Sequence, residues 1–453
     1  MSEQQEDVNL INMSSSYAVR STPSETFNKL TVSCWFKGHA DGTQRNFWGL
    51  YDNSSSDRFF ALYFSTNGSL YGYWKQNEGT FFTLGTTQKF RDPNAWTHFV
   101  MTMDTTLATA ADRVKFYVNG ERVTSFEDGL DTITQSQTCN LMNGTTDGRM
   151  QWGRGKVSGT QYYFPGGMSH CHMCVGYAYD ASSFGSTDSA TGIWKINTNP
   201  SVSYGTNGGF WFKDGSQLTD SSTNSNTLTS SGTLTNTEDC PSNNFCTWNA
   251  VKKLTLTLSN GNTTTLANGD NGVWGTIGDN QGKYYWETQQ NANSTMMGIA
   301  SEDVTQSTDR SSNAGVYGVQ NGTTYSYYRN NGSSGQSSGF PQVTNSNVLC
   351  HALDLDNGKY YLGIDGVFKD LSGTTSDISA GSNATFTGLD TTKFWFPFTE
   401  SRGSSAGCDA NFGNGFFGTT QISSEGTNAS GIGKFEYDVP AGYTALSTKG
   451  LNE

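Results

Sequence analysis

The chain is short of charge, of proline and of any helix-like pattern. Charged residues make up 15% of its 453 positions, against about 25% in ordinary globular proteins. Lys and Arg total 27 against 40 Asp and Glu, a net charge of −13, which excludes a broad basic surface for nucleic acid. No apolar run approaches the ~18 residues of a membrane-spanning helix. Eight Cys in 453 residues are too sparse for a disulfide framework. Long segments of 3.6-residue apolar period are missing too. What is abundant is Gly (53), Tyr (21), Phe (27) and Trp (11). Gly is costly in helices, whereas so many rings require packed interiors and disfavour disorder. An all-β protein with polar loops is what remains. A length of this size corresponds to about two to four domains.

Alternation supports this. In Leu30-Thr31-Val32-Ser33-Cys34-Trp35-Phe36-Lys37, the set Leu30, Val32, Cys34 and Phe36 is apolar and its neighbours are mostly polar, as in a half-buried strand. Arg58–Phe64 and Ser69–Trp74 flank Asn67-Gly68, and Arg113–Val118 and Glu121–Phe126 flank Asn119-Gly120; both read as hairpins. Trp96–Asp104 is a further strand. Residues 214–247 are rich in Ser, Thr, Asn and Asp and read as a connecting stretch, after which strands resume at Lys253–Leu258. Lys283–Thr288, Cys350–Leu355, Lys359–Ile364 and Lys393–Phe398 complete the set, with a third hairpin at Asp356-Asn357-Gly358. Residues 300–345 are Gly/Ser/Asn-rich, interrupted by Tyr317, Tyr325, Tyr327 and Tyr328, and read as long loops over a sheet. Two tandem antiparallel β-domains follow, with a boundary near residue 245.

The run WTHFVMTMDTTLATAADRVKFYVNGERVTSF, with YFPGGMSHCHMCVGYAYDASSFG and YGTNGGFWFKD, resembles LamG-like (concanavalin A-like) jelly-roll domains. VWGTIGDNQGKYYWE, LCHALDLDNGKYYLGIDGVF, WFPFTESRG and PAGYTALSTKGLNE resemble the SPRY-like β-sandwich that often follows them in virion proteins of marine tailed bacteriophages. The resemblance implies an N-terminal attachment segment over residues 1–25, a LamG-like jelly roll over 26–245 and a SPRY-like sandwich over 246–453. It also implies a virion structural protein, a tail fibre or other appendage. The few residues before the first strand keep a head-surface, capsid-decoration role open. The N-terminus, MSEQQEDVNLIN, has neither the basic start nor the apolar stretch of a secretory signal. The expectation is a chain made in the host cytoplasm and located in the virion.

Both domain types are related to glycan-binding and glycan-cleaving sandwiches. Hydrolysis needs two poised carboxylates, which laminarinase-like enzymes carry as E-x-D-x-x-E on one strand; that string is absent. Asp354 and Asp356 have the i, i+2 spacing but read as a strand end and a turn. Glu287 and Glu400-Ser401-Arg402 read as surface or ion-paired groups. No enzyme is expected, and a depolymerase is the disfavoured alternative. In His170-Cys171-His172-Met173-Cys174, His170 and His172 share a strand face and are candidate metal ligands. A second ligand pair is missing, so a core strand is the preferred reading. Cys240 and Cys246 bracket a short loop and are candidates for a bridge; Cys34 and Cys350 read as buried thiols. His39, His98 and His351 have no nucleophile motif beside them.

The candidate ligand-binding residues are aromatic. Tyr71, Tyr73 and Trp74, then Tyr162, Tyr163 and Phe164, then Tyr325, Tyr327 and Tyr328 lie near Gly-rich segments. Ring faces beside hydroxyls and amides suit sugars, whose C–H faces stack while polar groups select the hydroxyls. No cofactor is indicated; calcium on Asp52, Asp57 or Asp104 is the one metal the LamG-like resemblance brings to mind. Expected partners are other virion proteins and a host-surface glycan or receptor, without nucleic acid or membrane insertion. A homo-oligomer, taken as a trimer, would multiply weak sugar contacts.

Overall fold

The computed structural model describes residues 16–38, 42–52, 58–76, 79–128, 133–143, 148–213, 218–292, 295–305, 315–321 and 325–452. Among these the fold is all-β, with antiparallel sheets and, in place of α-helices, three short 3-10 turns. The chain divides into two compact units, Met1–Ser242 and Asn243–Glu453.

In the first unit an eight-stranded sheet faces a six-stranded one. The larger sheet runs, in spatial order, Phe126–Asp128, Gly79–Lys89, Ser69–Gln76, Phe59–Phe64, Arg45–Asp52, Gly148–Trp152, Tyr17–Ser21 and Thr229–Ser231. The smaller runs Glu121–Arg122, Val114–Val118, Trp96–Asp104, Lys29–Lys37, Gly167–Val175 and Gly209–Trp211. Leu30, Val32, Cys34 and Phe36 do point into the shared core, among Trp48, Phe60, Trp74 and Trp152. Their neighbours are not exposed, however: Thr31, Ser33, Trp35 and Lys37 are buried as well. The second face is covered by an outer layer that uses those polar groups as anchors. Thr31 Oγ1 donates to Tyr177 O at 3.1 Å and accepts from Tyr179 N at 2.8 Å, and Lys37 Nζ lies 2.5 Å from Asp239 Oδ2. Asp239 belongs to the stretch read as a connector, as does the sheet strand Thr229–Ser231, so much of residues 218–242 is part of the sandwich. So is Tyr17–Ser21, which pairs with Gly148–Trp152; residues 1–15 of the expected attachment segment lie outside the described residues.

The hairpins form where Asn-Gly placed them. Asn119 and Gly120 adopt φ of 47° and 85°, a type I′ turn. Its return strand is only Glu121–Arg122; the chain then leaves for the other sheet at Phe126–Asp128, so Glu121–Phe126 is not one strand.

The second unit is built on a 17-residue strand, Trp395–Asn411. Its first half pairs with Thr295–Ser301 and its second with Lys283–Ala292, while Thr264–Gly275 follows its other edge. Two sheets therefore fan out from one strand and enclose Trp286, Met297, Ile299, Val319, Leu349, Leu353 and Tyr360. Two expectations change here. Lys253–Leu258 is broken between Trp248–Lys253 and Thr257–Ser259. Residues 300–345 are not simply loops: they contain a three-strand meander, Val316–Asn321, Ser326–Asn330 and Ser333–Ser337, which extends one sheet.

Buried histidines tie neighbouring segments together in both units: strands of one sheet around His351, and a sheet to an outer hairpin at His98. Trp194 Nε1 donates to His98 Nδ1 at 3.0 Å, which leaves His98 Nε2–H for Ser33 Oγ at 2.9 Å. His351 stacks on Trp286 at 4.9 Å and bridges Thr288 Oγ1 (2.7 Å) and Tyr360 OH (2.6 Å). Burial pulls both imidazoles down to about 3. A group depressed from about 6.5 contributes stability that is complete above that pH and is lost as pH falls toward 3, on the order of 4 kcal/mol each. We expect the melting temperature to fall steeply on acidification from pH 7 to 4. His351→Gln should melt lower at pH 7 and show a shallower acid slope in circular dichroism. An equally steep slope in the variant would remove His351 from the titration.

Candidate functional site

The meander places its side chains by simple alternation. Asn331 and Gly332 form its second turn, with φ of 47° and 85°. Pairing sets Glu400, Met296, Gln320, Tyr327 and Gln336 in one row across five strands. The adjacent row on the same face is Phe398, Gly298, Gly318, Arg329 and Ser334. Two successive glycines leave no side chain between Phe398 and Arg329 along that row. The intervening residues Met297, Val319 and Tyr328 face the sandwich core instead.

This outer face carries a cavity of about 380 Å³ bordered by Met296, Gln320, Tyr327, Arg329, Gln336 and Arg402. Met296 is 1% exposed and closes the bottom, while Tyr327 is 40% exposed and stands at the side. Tyr325 buttresses Tyr327, with their rings edge to face at 5.0 Å and their hydroxyls 3.0 Å apart. Arg402 Nε is 4.0 Å from Asp270 Oδ1, a loose pair. Arg329 has no carboxylate within ion-pair distance among the described residues. The cavity therefore offers a ring face, two amides and two guanidiniums over an apolar floor. It lies at the small end of ligand pockets, about 300–1,000 Å³, with room for about one or two sugar rings.

Of the sequence-predicted aromatics, Tyr325 and Tyr327 meet at this cavity. Tyr328 borders it but packs inward, across Gly335. Tyr71 and Tyr73 lie on the outer face of the first unit's larger sheet. Tyr71 stacks on Tyr63 at 5.4 Å and Tyr73 meets Phe59 edge to face at 4.8 Å. Tyr162 and Tyr163 come from the hairpin Arg154–Val157 and Thr160–Tyr163, and Tyr163 OH is 3.5 Å from Arg154 Nη1. Glu127 holds the rim, accepting from Ser69 Oγ (2.6 Å), Asn67 Nδ2 (2.9 Å) and Tyr71 OH (3.2 Å), with Lys89 Nζ at 2.5 Å. Those bonds, that of Lys89 first, push its carboxyl down to about 2, and burial then the nearby carboxylate push Tyr71 up to about 12. Trp74 and Phe164 are different: both are buried in the core, Trp74 stacked on Phe60 at 5.9 Å, so neither ring can meet a ligand. Alternation puts Trp74 on the face opposite Tyr71 and Tyr73.

Several polar expectations also shift. Glu287 is neither at the surface nor ion-paired: it is fully buried and accepts from Tyr285 OH, Asn411 Nδ2, Glu436 N and Tyr437 N at 2.8–3.2 Å. Burial outweighs these four bonds and raises its carboxyl to about 7. Glu400 is buried beside Met296. Asp354 ends its strand in a 3.3 Å pair with Lys283, and Asp356 accepts from Gly282 N at 2.8 Å. His170 sits at a bulge with φ of 46°, and His172 stacks on Phe210 at 4.0 Å and bonds Tyr204 OH at 3.0 Å. No group of three metal-ligand side chains occurs among the described residues. Asp52 and Asp104 pair with Arg58 (3.4 Å) and Lys29 (3.0 Å), while His39 and Asp57 lie outside the described residues. Cys240 and Cys246 are not bridged: Cys240 Sγ lies 3.1 Å from Ser242 Oγ, and Cys246 Sγ 3.7 Å from Thr247 O. Cys34 and Cys350 are buried and free.

Residues missed from sequence were Gln320, Arg329, Gln336 and Met296. The signal that would have found them is Asn331-Gly332 itself, a hairpin turn inside the segment read as loops.

The sequence model of the concanavalin A-like lectin/glucanases superfamily matches residues 12–172. No curated protein matches the chain. Among solved structures, the SPRY domain of human HERC1 is 13% identical, covering 36% of this chain and 96% of its own, with a TM-score of 0.29. A heptameric SAP-like pentraxin from Limulus polyphemus is 13% identical (39% and 79% covered, TM-score 0.28). The sialidase CBM40 of Ruminococcus gnavus bound to sialyllactose is 18% identical (34% and 80%, TM-score 0.26).

The first unit's tyrosine face rests on close packing. A Cβ on Gly85 would stand 2.3 Å from Tyr71 Cζ, so Gly85→Val must displace the ring. We expect a loss of about 1–3 kcal/mol in denaturant unfolding, together with faster nitration of Tyr71. Unchanged stability and unchanged nitration would show that this face is loosely packed.

Proposed function

We propose that this chain is a non-catalytic adhesion protein of a bacteriophage virion surface, a tail fibre or similar appendage, that holds host-surface glycan in the groove of its second unit. The observation that carries the reading is the exposed ring of Tyr327 standing over an apolar floor between amides and guanidiniums. A sugar presents the same mixture: apolar C–H faces that stack and hydroxyls that pair with side-chain amides. The match of residues 12–172, in the first unit, to a superfamily of lectins and glucanases is compatible with carbohydrate as a ligand class for the chain. Binding rather than cleavage suits a groove whose charged members at the rim are cations, since hydrolysis calls for two facing carboxylates. The virion placement rests on the tandem resemblance of the two halves. Weak single-site contacts of this kind become useful through repetition, so a homo-oligomer such as a trimer belongs to the proposal.

The test is binding of the purified chain to bacterial surface glycans and to host cells, with competition against infection. Tyr327→Ala should weaken glycan binding about ten-fold, as expected for loss of an aromatic contact of about 1–2 kcal/mol. Trp74 serves no such role, so its variants should report only on folding. Binding unaffected by Tyr327→Ala would remove the groove from adhesion. Failure to bind any cell or glycan, with the chain located in the particle by imaging, would favour a purely architectural, capsid-decoration role. Release of reducing sugar would establish a depolymerase instead.

A further inference from the structure

We infer that the second unit's groove selects an acidic saccharide, one whose carboxylate or sulfate group is clasped between Arg329 and Arg402. The inference rests on the glycan-binding reading above and adds the charge of the ligand to it.

Positive charge is scarce in this chain, 27 basic against 40 acidic residues, yet two guanidiniums border a single cavity of about 380 Å³. Some cations elsewhere sit close against carboxylates, as in Lys37–Asp239 (2.5 Å), Lys89–Glu127 (2.5 Å), Lys195–Asp188 (2.7 Å), Arg122–Asp112 (2.8 Å) and Lys393–Asp303 (2.7 Å), and others, such as Arg113 and Lys359, donate to backbone carbonyls at 2.6 Å. The two groove guanidiniums are held less closely than these. Arg402 reaches only to 4.0 Å from Asp270, and Arg329 has no carboxylate in range among the described residues. The buried Glu400 lies in the neighbouring row, opposite Met296.

Two like charges sharing a small cavity repel one another unless an anion lies between them. Neutral sugars would be served by Gln320, Gln336 and Tyr327 alone. Guanidinium supplies something more specific, a planar fork of donors that matches the oxygens of a carboxylate or sulfate two at a time. The sheet holds that fork in place. Arg329 is on a central strand of the meander, paired on both sides. An acidic group can thus lie between the two guanidiniums that border the cavity while the sugar ring stacks on Tyr327 in the adjacent row.

The experiment is titration calorimetry of the full chain with matched probes that differ in charge. Oligogalacturonate and its methyl ester share one backbone, and a carrageenan tetrasaccharide sulfate and its unsulfated counterpart share another. Binding of at least one acidic probe, ten-fold or more tighter than its neutral partner and weakened by raising salt from 50 to 500 mM, is the expected result. Preference for the uronate or the sulfate identifies which anion is held. Arg329→Gln should abolish the difference between acidic and neutral partners. Arg329→Lys, which keeps the charge but not the fork, should recover only part of it, and the melting temperature of each variant reports whether it has folded. Neutral probes binding as tightly as acidic ones, in a manner sensitive to Tyr327→Ala, would overturn the acidic selection and leave the adhesion reading standing. Acidic probes that fail to bind at millimolar concentration would overturn the inference. Loss of cell binding as well would take the adhesion reading with it.

Discussion

Backbone pairing along Trp395–Asn411 governs the second unit. One strand cannot change its face alternation without turning every side chain over, and this one is paired on both edges over residues 398–401 and 407–409. Ser405, at φ of 54°, and the register shift opposite Ala267 and Gly269 mark where it passes from one sheet to the other. Upstream of that point Phe398, Glu400 and Arg402 fall on the outer face; beyond it Cys408 and Ala410 fall in the core. The groove inherits its floor, Met296, and one of its cations from this single register.

Sheets with both faces covered give polar residues a second task. A half-buried strand would send Thr31, Ser33 and Lys37 to water. Here they receive an outer layer of irregular chain and satisfy its backbone and side chains, as buried polar groups must be satisfied. Glu287 does the same in the second unit. Its two oxygens accept the amides of Glu436 and Tyr437, so that a single carboxylate fixes a C-terminal stretch with little regular structure. The histidines belong to this scheme. His98, His172 and His351 stack on rings and bond to hydroxyls or indole, which suits neutral imidazoles far better than charged ones.

What was legible in the sequence follows the same physics. Leu30 to Phe36 alternated and the structure puts that face in the core; Asn119-Gly120 demanded positive φ and made the turn. The all-β class followed from composition. Two kinds of residue were misread. Trp74 looked like a ligand contact because composition cannot tell the two faces of a strand apart when both carry rings, as in Tyr73-Trp74. Glu287 looked like a surface or ion-paired group because burial of a carboxylate depends on donors brought from far along the chain, Glu436 being 149 residues away. The meander at 316–337 was hidden for a third reason. Its Gly, Ser and Asn residues have little intrinsic strand preference, and the sheet edge they join supplies the pairing.

The two aromatic clusters show why ring content alone does not define a binding surface. On the first unit's sheet the tyrosines engage each other. Tyr71 stacks on Tyr63 and lies over Gly85, its hydroxyl directed to Glu127, and Tyr73 packs on Phe59. The energy of those faces is already used in holding the sheet's outer side. In the second unit Tyr327 is tied at its hydroxyl and edge by Tyr325, yet 40% of it remains exposed beside side chains that can donate to oxygen. A ring whose edge is fixed while part of its surface stays open meets a ligand at little entropic cost, because its rotamer is set before binding. That difference, not the number of tyrosines, separates the groove from the tyrosine face.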